Sequence, residues 1–212
     1  RKRQKDETRQ GGRDMTVQYD KALDVALGNS RKTKQWKNRP LKWSELLDRM
    51  SRTVRTTETV AEYRAMKRDQ QAERKDQGGF VGGYCNNGSR SDIRHRSVLC
   101  LDADYADNEL WSDWCVSYGN AGAVYSTHKH TPEKPRLRLV IPLSRPISED
   151  EYPAVARIVA SDIGIDLFDD TTYEPARLMY WASTSSNGEF FFAEKDGEAA
   201  PAVEEAAEVV AE

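Results

Sequence analysis

The chain has 212 residues, of which 38% are hydrophobic and 32% charged, and its formal net charge is −3. This length suits one substantial domain with appendages, or two small domains at most. No run approaches about 18 apolar residues and the three cysteines have no paired spacing, so the sequence predicts no membrane span, disulfide framework or zinc knuckle, and a reducing cytoplasm is expected.

The charges are distributed unevenly along the chain. Residues 1–75 carry 21 Lys or Arg against 11 Asp or Glu, residues 76–193 carry 10 against 17, and residues 194–212 carry 1 against 7. A basic block suits a polyanionic partner, whereas the acidic middle repels nucleic acid unless its carboxylates hold cations. Solvated helix faces explain the basic block equally well.

The first 75 residues predict a leader followed by helices. Residues 1–14 contain almost no apolar side chains and predict a disordered basic leader. Apolar spacing predicts three helices, in the segments 19–27, 43–50 and 56–75. Residues 15–75 are therefore interpreted as the basic helical part of one domain that extends to residue 193.

The pattern of residues 76–193 predicts a sheet with helices between its strands. Glycine clusters over 78–88 predict a strand hairpin with close backbone approach. Further strands are predicted at 97–101, 121–127, 136–143, 178–181 and 190–192, with helices over 108–118 and 152–163 between them. This interleaving indicates an α/β or α+β fold around one mixed sheet. The Ala/Glu-rich segment 194–212 predicts an acidic linker or tail.

The most specific motif is Asp102-Ala103-Asp104, at the end of an apolar strand. Side chains alternate across a strand, so both carboxylates point to one side, with their Cα atoms about 7 Å apart. This arrangement suits hard cations such as Mg²⁺ or Mn²⁺, and two such ions can activate a 3′-hydroxyl and stabilise a leaving pyrophosphate. Strand-end caps or turn acids are an equally common explanation of such a pattern.

Two groups of polar side chains follow on later strands. One face of the next strand carries Ser126 and His128, and also His130 if the strand continues that far, with Lys129 beside them. These side chains suit a nucleoside triphosphate. A lone His is more often structural. Arg136 and Arg138 lie opposite a core face of 137, 139 and 141, and paired guanidiniums bind phosphate. The alternative for the two arginines is an exposed strand face.

A third acidic site is expected between residues 166 and 180. Either Asp169 or Asp170 can complete a carboxylate triad with the first two aspartates. Arg177, entering the next strand, can contact a phosphate or fix an acid. Asp-rich loops are common, so this segment is a weak signal by itself.

Together these motifs resemble the archaeo-eukaryotic primase superfamily, specifically the primase-polymerase domains of phage and mobile-element replication proteins of the virulence-associated E type. The matching segments are LCLDAD (99–104), STH (126–128) and FDD…PAR (168–177), and upstream WSEL (43–46), TTETVAEY (56–63) and GGFVGGY (78–84). The resemblance implies an α+β fold: a small RNA-recognition-like mixed sheet packed against an N-terminal unit with helices.

The resemblance also implies roles for individual residues. Asp102, Asp104 and Asp169 look like metal carboxylates for two Mg²⁺ or Mn²⁺ ions, with Asp169 preferred over Asp170 because it stands eight residues before Arg177. His128 looks like the contact to the nucleotide phosphates. Ser126, Lys129, Arg136, Arg138 and Arg177 complete the expected nucleotide-binding set.

The implied activity is template-dependent joining of deoxy- or ribonucleoside triphosphates on single-stranded DNA, in the cytoplasm of a bacterial host. The basic residues between 19 and 75 would follow the template, with Trp36 or Trp43 as candidates for base stacking, although both are more often core residues. The sequence contains no GxxxxGK[ST] motif, so a replicative helicase is expected in the same or a neighbouring chain.

Two alternatives from other functional classes stay open. His128-Lys129-His130 loosely resembles the His-x-His metal site of rolling-circle replication nucleases, with Tyr173 or Tyr180 as nominal nucleophile, but this leaves Asp102 and Asp104 without a role. A non-catalytic DNA-binding initiator would place those acids against DNA without a cation. An assay separates the three functions: a polymerase incorporates nucleotides with a metal, a nuclease nicks the strand, and an initiator only binds it.

Overall fold

The computed structural model describes residues 17–202, and within them the chain folds into an α+β arrangement of thirteen strands and five helices. The strands are β1 Ala22–Leu23, β2 Ala26–Gly28, β3 Lys37–Asn38, β4 Leu41–Lys42, β5 Val54–Arg55, β6 Gly79–Val81, β7 Gly83–Cys85, β8 Ile93–Ala103, β9 Gly122–Ser126, β10 Leu137–Ile147, β11 Met179–Tyr180, β12 Ser183–Thr184 and β13 Phe192–Lys195. The helices are α1 Trp43–Met50, α2 Val60–Ala65, α3 Arg68–Arg74, α4 Leu110–Ser117 and α5 Glu151–Ile163. The predicted α+β class is confirmed. Between residues 17 and 202, every helix is too short or too polar to cross a membrane.

A five-stranded sheet in the order β13-β9-β10-β8-β7 forms the centre of the fold, and all its neighbours are antiparallel. Alternate residues of β8 and β10, such as Leu101 and Leu139, pack against α4 and α5 on one face. The residues between them, such as Cys100 and Val140, pack against α1 on the other face. Burial on both faces explains why these two strands are apolar along most of their length.

A second layer covers one face of this sheet; it is called the N-terminal layer because most of it comes from residues 17–81, with β11 added from later in the chain. Its four-stranded sheet has the order β11-β6-β2-β3, and α1 buries Trp43, Leu46, Leu47 and Met50 against the central strands. The predicted helix over 43–50 and its apolar face are therefore confirmed. The protein uses several sheets where the sequence predicted one.

The predicted helix over residues 19–27 is wrong, because this segment forms β1 and β2. Leu23 and Val25 are buried on either side of the half-buried Asp24, which is the two-residue period of a strand. β2 pairs with both β3 and β6, so pairing across the N-terminal layer decides the structure of a segment too short to hold a helix alone.

The predicted hairpin over residues 78–88 is wrong in its pairing. β6 pairs with β2 and β11, whereas β7 pairs with β8, so the chain passes from one sheet to the other at Gly82. A Cβ atom at Gly82 would lie 2.8 Å from both the Cβ atom and the carbonyl oxygen of Val98. The glycine is therefore required by the close approach of the two sheets.

Two other predicted segments are modified. The helix predicted over 56–75 is interrupted at Met66, which has extended backbone angles, and its first part starts from a capping box between Thr59 and Glu62. Part of the segment predicted as a tail belongs to the fold: β13 pairs with β9 through Lys195, and Ala199, Ala200 and Ala202 are buried. The predicted leader and the rest of the predicted tail lie outside the described residues.

Candidate active site

A strongly basic cavity of about 600 Å³ opens between the central sheet and the N-terminal layer. Nine Lys or Arg side chains line it, namely Arg31, Lys32, Arg68, Lys75, Arg90, Lys129, Arg136, Arg138 and Arg177. The carboxylates that line it are Asp102 and Asp104. Such an excess of positive charge around two acids is complementary to a polyanion that brings its own cations.

The antiparallel pairing of β8 and β10 places Asp102 beside Arg138. These two residues are direct partners in the register, and the Asp102 Oδ1 atom accepts a 2.6 Å hydrogen bond from Arg138 Nε. Arg138 also donates to the hydroxyl of Tyr125 and the carbonyl of Tyr180, and it is only 5% exposed. In the structure the guanidinium holds Asp102, its burial excludes the exposed strand face, and a phosphate contact of Arg138 stays a prediction.

Asp104 and Arg136 form a second, more accessible pair. Arg136 Nη1 lies 2.9 Å from Asp104 Oδ2, and both side chains are partly exposed. Asp102 and Asp104 are two positions apart near the end of β8, so both face the cavity, as the strand alternation predicted.

Asp169 approaches the first aspartate through the backbone and through Arg177. The Asp169 amide donates to the Asp102 carbonyl at 2.9 Å, and Arg177 lies 3.6 Å from Asp102 Oδ2 and 3.8 Å from Asp169 Oδ2. Burial raises the pKa of Asp169, but hydrogen bonds from Thr171 and the charge of Arg177 outweigh burial and lower it. Asp170 is exposed, whereas Asp169 contacts the Asp102 backbone and Arg177, so Asp169 lies closer to the first two aspartates and is the favoured candidate.

The carboxylates fit a hard divalent cation in part. Asp102 and Asp104 are oxygen donors that face the same cavity, which is the chemistry that Mg²⁺ and Mn²⁺ prefer. Among residues 17–202, however, no three His, Cys, Asp or Glu side chains converge on one point, and each predicted ligand is paired with an arginine instead. Asp102 and Asp104 thus face one cavity, and the roles of Asp102, Asp104 and Asp169 as metal ligands stay predictions.

His128 is held by a buried network that the sequence did not indicate. Its Nε2 atom lies 3.1 Å from Glu58 Oε1 and its Nδ1 atom lies 2.9 Å from Ser183 Oγ. The centres of the Tyr63 and His128 rings are 4.3 Å apart. Burial lowers the pKa of His128, and Glu58 offsets part of that effect. Because both nitrogens are hydrogen-bonded, a phosphate contact would need one of these bonds to be exchanged.

The other residues predicted to lie beside His128 have different positions and partners. Ser126 is buried and its hydroxyl accepts a hydrogen bond from the Phe191 amide, whereas Lys129 reaches the cavity. β9 ends at Ser126, so strand alternation does not continue to His130, whose Nδ1 accepts from the Arg136 amide. His128 and His130 thus have different partners, which does not favour a shared His-x-His metal site.

The family model of the VapE N-terminal domain matches residues 7–208. The chain belongs to this family. No curated protein sequence is detectably similar to it. The chain is also similar to a solved structure, the AEP domain of the primase-polymerase of cyanophage S-2L, with 13% identity, a TM-score of 0.48 and 88% of each chain covered.

In this VapE N-terminal domain, Lys75 is a cavity residue that sequence reasoning missed. It follows α3, and its Nζ atom lies 5.0 Å from the centre of the Tyr180 ring. Burial, and then the charges of Arg138 and Lys129, lower its pKa. In the sequence Lys75 is one of many basic residues in a charged segment, and only the layer packing distinguishes it.

Proposed function

We propose that this VapE N-terminal domain is a nucleotidyltransferase, a DNA primase-polymerase that joins nucleoside triphosphates on a single-stranded DNA template. The observation that carries the proposal is a single cavity in which two carboxylates of one strand face lie among nine Lys or Arg side chains. A triphosphate with its divalent cations is complementary to both charges at once. The order of the three sequence motifs supports the same activity.

The residues of the cavity are suited to position the triphosphate. Lys75, Lys129 and Arg177 line the cavity and can neutralise phosphate oxygens, as Arg136 can once it releases Asp104. Tyr180 lies on the same wall and offers a ring to the sugar or base. Arg138 holds Asp102 in place, and the pairing of His128 with Glu58 fixes the start of the loop that carries Lys129.

In the proposed reaction, a 3′-hydroxyl oxygen attacks the α-phosphorus in line with the bond to pyrophosphate. The new oxygen–phosphorus bond forms, the bond to pyrophosphate breaks, and the hydroxyl proton leaves to water. Asp102 and Asp104, with Asp169 as the predicted third ligand, would hold the cations. When bound, two Mg²⁺ or Mn²⁺ ions stabilise charge on the attacking and leaving oxygens of such a displacement.

The test is nucleotide incorporation on single-stranded DNA, with and without a primer, in Mg²⁺ or Mn²⁺. We expect metal-dependent product from the wild type and a loss of at least about a hundredfold in Asp104→Asn, because charge stabilisation contributes on this scale. Asp113→Asn, at an exposed acid of α4, is the matched control. The unprimed reaction shows whether the domain also starts chains, and parallel reactions with deoxy- and ribonucleotides show which it prefers.

The same assay separates the alternatives. A wild type that nicks the template without incorporating nucleotides would support the His-x-His nuclease, and one that only binds would support the initiator module. A replicative helicase in the same or a neighbouring chain is the unwinding partner we associate with this function.

A further inference from the structure

A second cavity, of about 420 Å³, lies against the first and is lined by cations without any carboxylate. Arg64 of α2 and Lys134 face it, and His128, Lys129 and Arg136 line both cavities. A ligand that occupies the first cavity therefore has a charged path into the second.

The positive charge of this second cavity is largely uncompensated. The side chains of Arg64, Lys129 and Lys134 have no hydrogen-bond or ion-pair partner among residues 17–202. His130 also faces this cavity, and burial lowers its pKa, so it adds no charge at neutral pH. Three unpaired cations thus remain beside Arg136, which Asp104 already holds, and exposed, flexible cations of this kind bind phosphates by charge.

Three acids act on this cavity electrostatically without lining it. Glu133 and Glu189 act on His130 from outside the cavity lining, and buried Glu58 is already paired with His128. None of these acids forms an ion pair with Arg64, Lys129 or Lys134, so these three side chains are available to a ligand.

We propose that this second cavity binds backbone phosphates of single-stranded DNA. This inference rests on the proposed function and assigns a path to the single-stranded DNA next to the first cavity. A nucleoside triphosphate brings divalent cations that need oxygen ligands, and the second cavity has no Asp or Glu to supply them. Phosphodiesters carry one charge each and need only cations.

The cavity is built for phosphates rather than bases. Its aromatic residue, Tyr63, is only 3% exposed, since its ring packs on His128 and its hydroxyl donates to the Gln71 carbonyl. A base therefore finds no free ring to stack on here, and binding should be insensitive to sequence.

The test is the binding of a fluorescein-labelled oligothymidylate to the whole chain, by anisotropy, without nucleotide or divalent metal, at several salt concentrations. Arg64→Gln/Lys134→Gln is compared with Arg94→Gln/Arg157→Gln, which removes two exposed arginines that line neither cavity and lie outside the basic segment 19–75. Losing two phosphate contacts should reduce the slope of log K against log salt by about 1.4, because each contact on single strands contributes about 0.7.

A second readout is the binding of a metal–triphosphate complex by calorimetry, which should be the same in both double variants. Equal DNA binding by both would overturn the proposal, and so would loss of triphosphate binding with DNA binding retained, which would make the cavity a nucleotide site. Because no catalysis is involved, a protein that incorporates no nucleotide and still shows the reduced slope contradicts only the proposed polymerase function.

Discussion

At the residue scale, the two aspartates of the DxD motif have different environments. Asp102 is buried with Arg138, whereas Asp104 and Arg136 form a partly exposed pair. Removing one partner of a buried pair leaves an uncompensated charge, whereas exposed pairs contribute little to stability. The same motif therefore contains one residue that the fold depends on and one that it does not.

This difference predicts unequal effects on stability. Asp102→Ala should lower the free energy of unfolding by about 3–5 kcal/mol, because it leaves the Arg138 guanidinium buried without its carboxylate. Asp104→Ala should lower it by less than about 1 kcal/mol. Urea unfolding of the two variants measures both values, and equal losses would contradict the assignment. Asp104 is accordingly the better position at which to test activity.

Lys75 predicts a pH dependence of nucleotide binding. Its pKa is lowered by burial and by Arg138 and Lys129, so its charge is lost at a lower pH than that of an ordinary lysine. As pH rises through this lowered pKa, an attraction to phosphate disappears and binding should weaken. Lys75→Arg keeps its charge throughout and should flatten the profile. Titration of a non-hydrolysable triphosphate from neutral to alkaline pH measures both, and parallel profiles would contradict the prediction.

At the scale of elements, Gly82 lies between β6 and β7, where the chain passes from the N-terminal layer to the central sheet. Gly82→Ala would push a Cβ atom into Val98, and overpacking of this kind costs about 1–3 kcal/mol. Gly119→Ala is the matched control, because a Cβ atom there meets nothing within 4 Å. Chemical denaturation should show a loss of stability for the first variant alone. Unchanged stability of Gly82→Ala would mean that the two sheets can separate enough to accept a methyl group, and a similar loss in both variants would mean that the loss does not come from overpacking at Val98.

The elements also show which predictions the sequence could support. β8, β10 and α5 were predicted because each has a long apolar pattern, since most of both strands is buried and α5 buries one face. β2 was missed because its pairing with β3 and with the distant β6 determines it. β12 was missed for the same reason, since its two residues are a strand only through parallel pairing with β5.

The candidate site divides in the same way. Asp102, Asp104 and Arg136 follow from strand alternation, which is a local rule, and all three reach the cavity. Lys75 and Glu58 come to the site through the packing of the N-terminal layer, which no local pattern reports. His128 was correctly placed near the site, but its buried partner Glu58 could not be inferred from spacing.

At the scale of the whole molecule, the cavity joins the two layers. Lys75 comes from the N-terminal layer and Asp104 from the central sheet, and the apolar cluster beneath them contains residues of both layers. A ligand that contacts both sides therefore binds the assembled molecule and not a separated layer. Ligand binding and global stability should be coupled for this reason.

This coupling predicts a thermal shift that needs both parts of the ligand. A non-hydrolysable triphosphate with Mg²⁺, at about 100 times its Kd, should stabilise the folded protein by about 2.7 kcal/mol and raise Tm by roughly 5–10 °C. Chelating the metal should remove much of this shift in the wild type. In Asp104→Asn the metal should make little difference, whereas Asp113→Asn should behave as the wild type does. A full shift in the presence of chelator would mean that the basic side chains alone bind the triphosphate, and that the two carboxylates hold no cation with it.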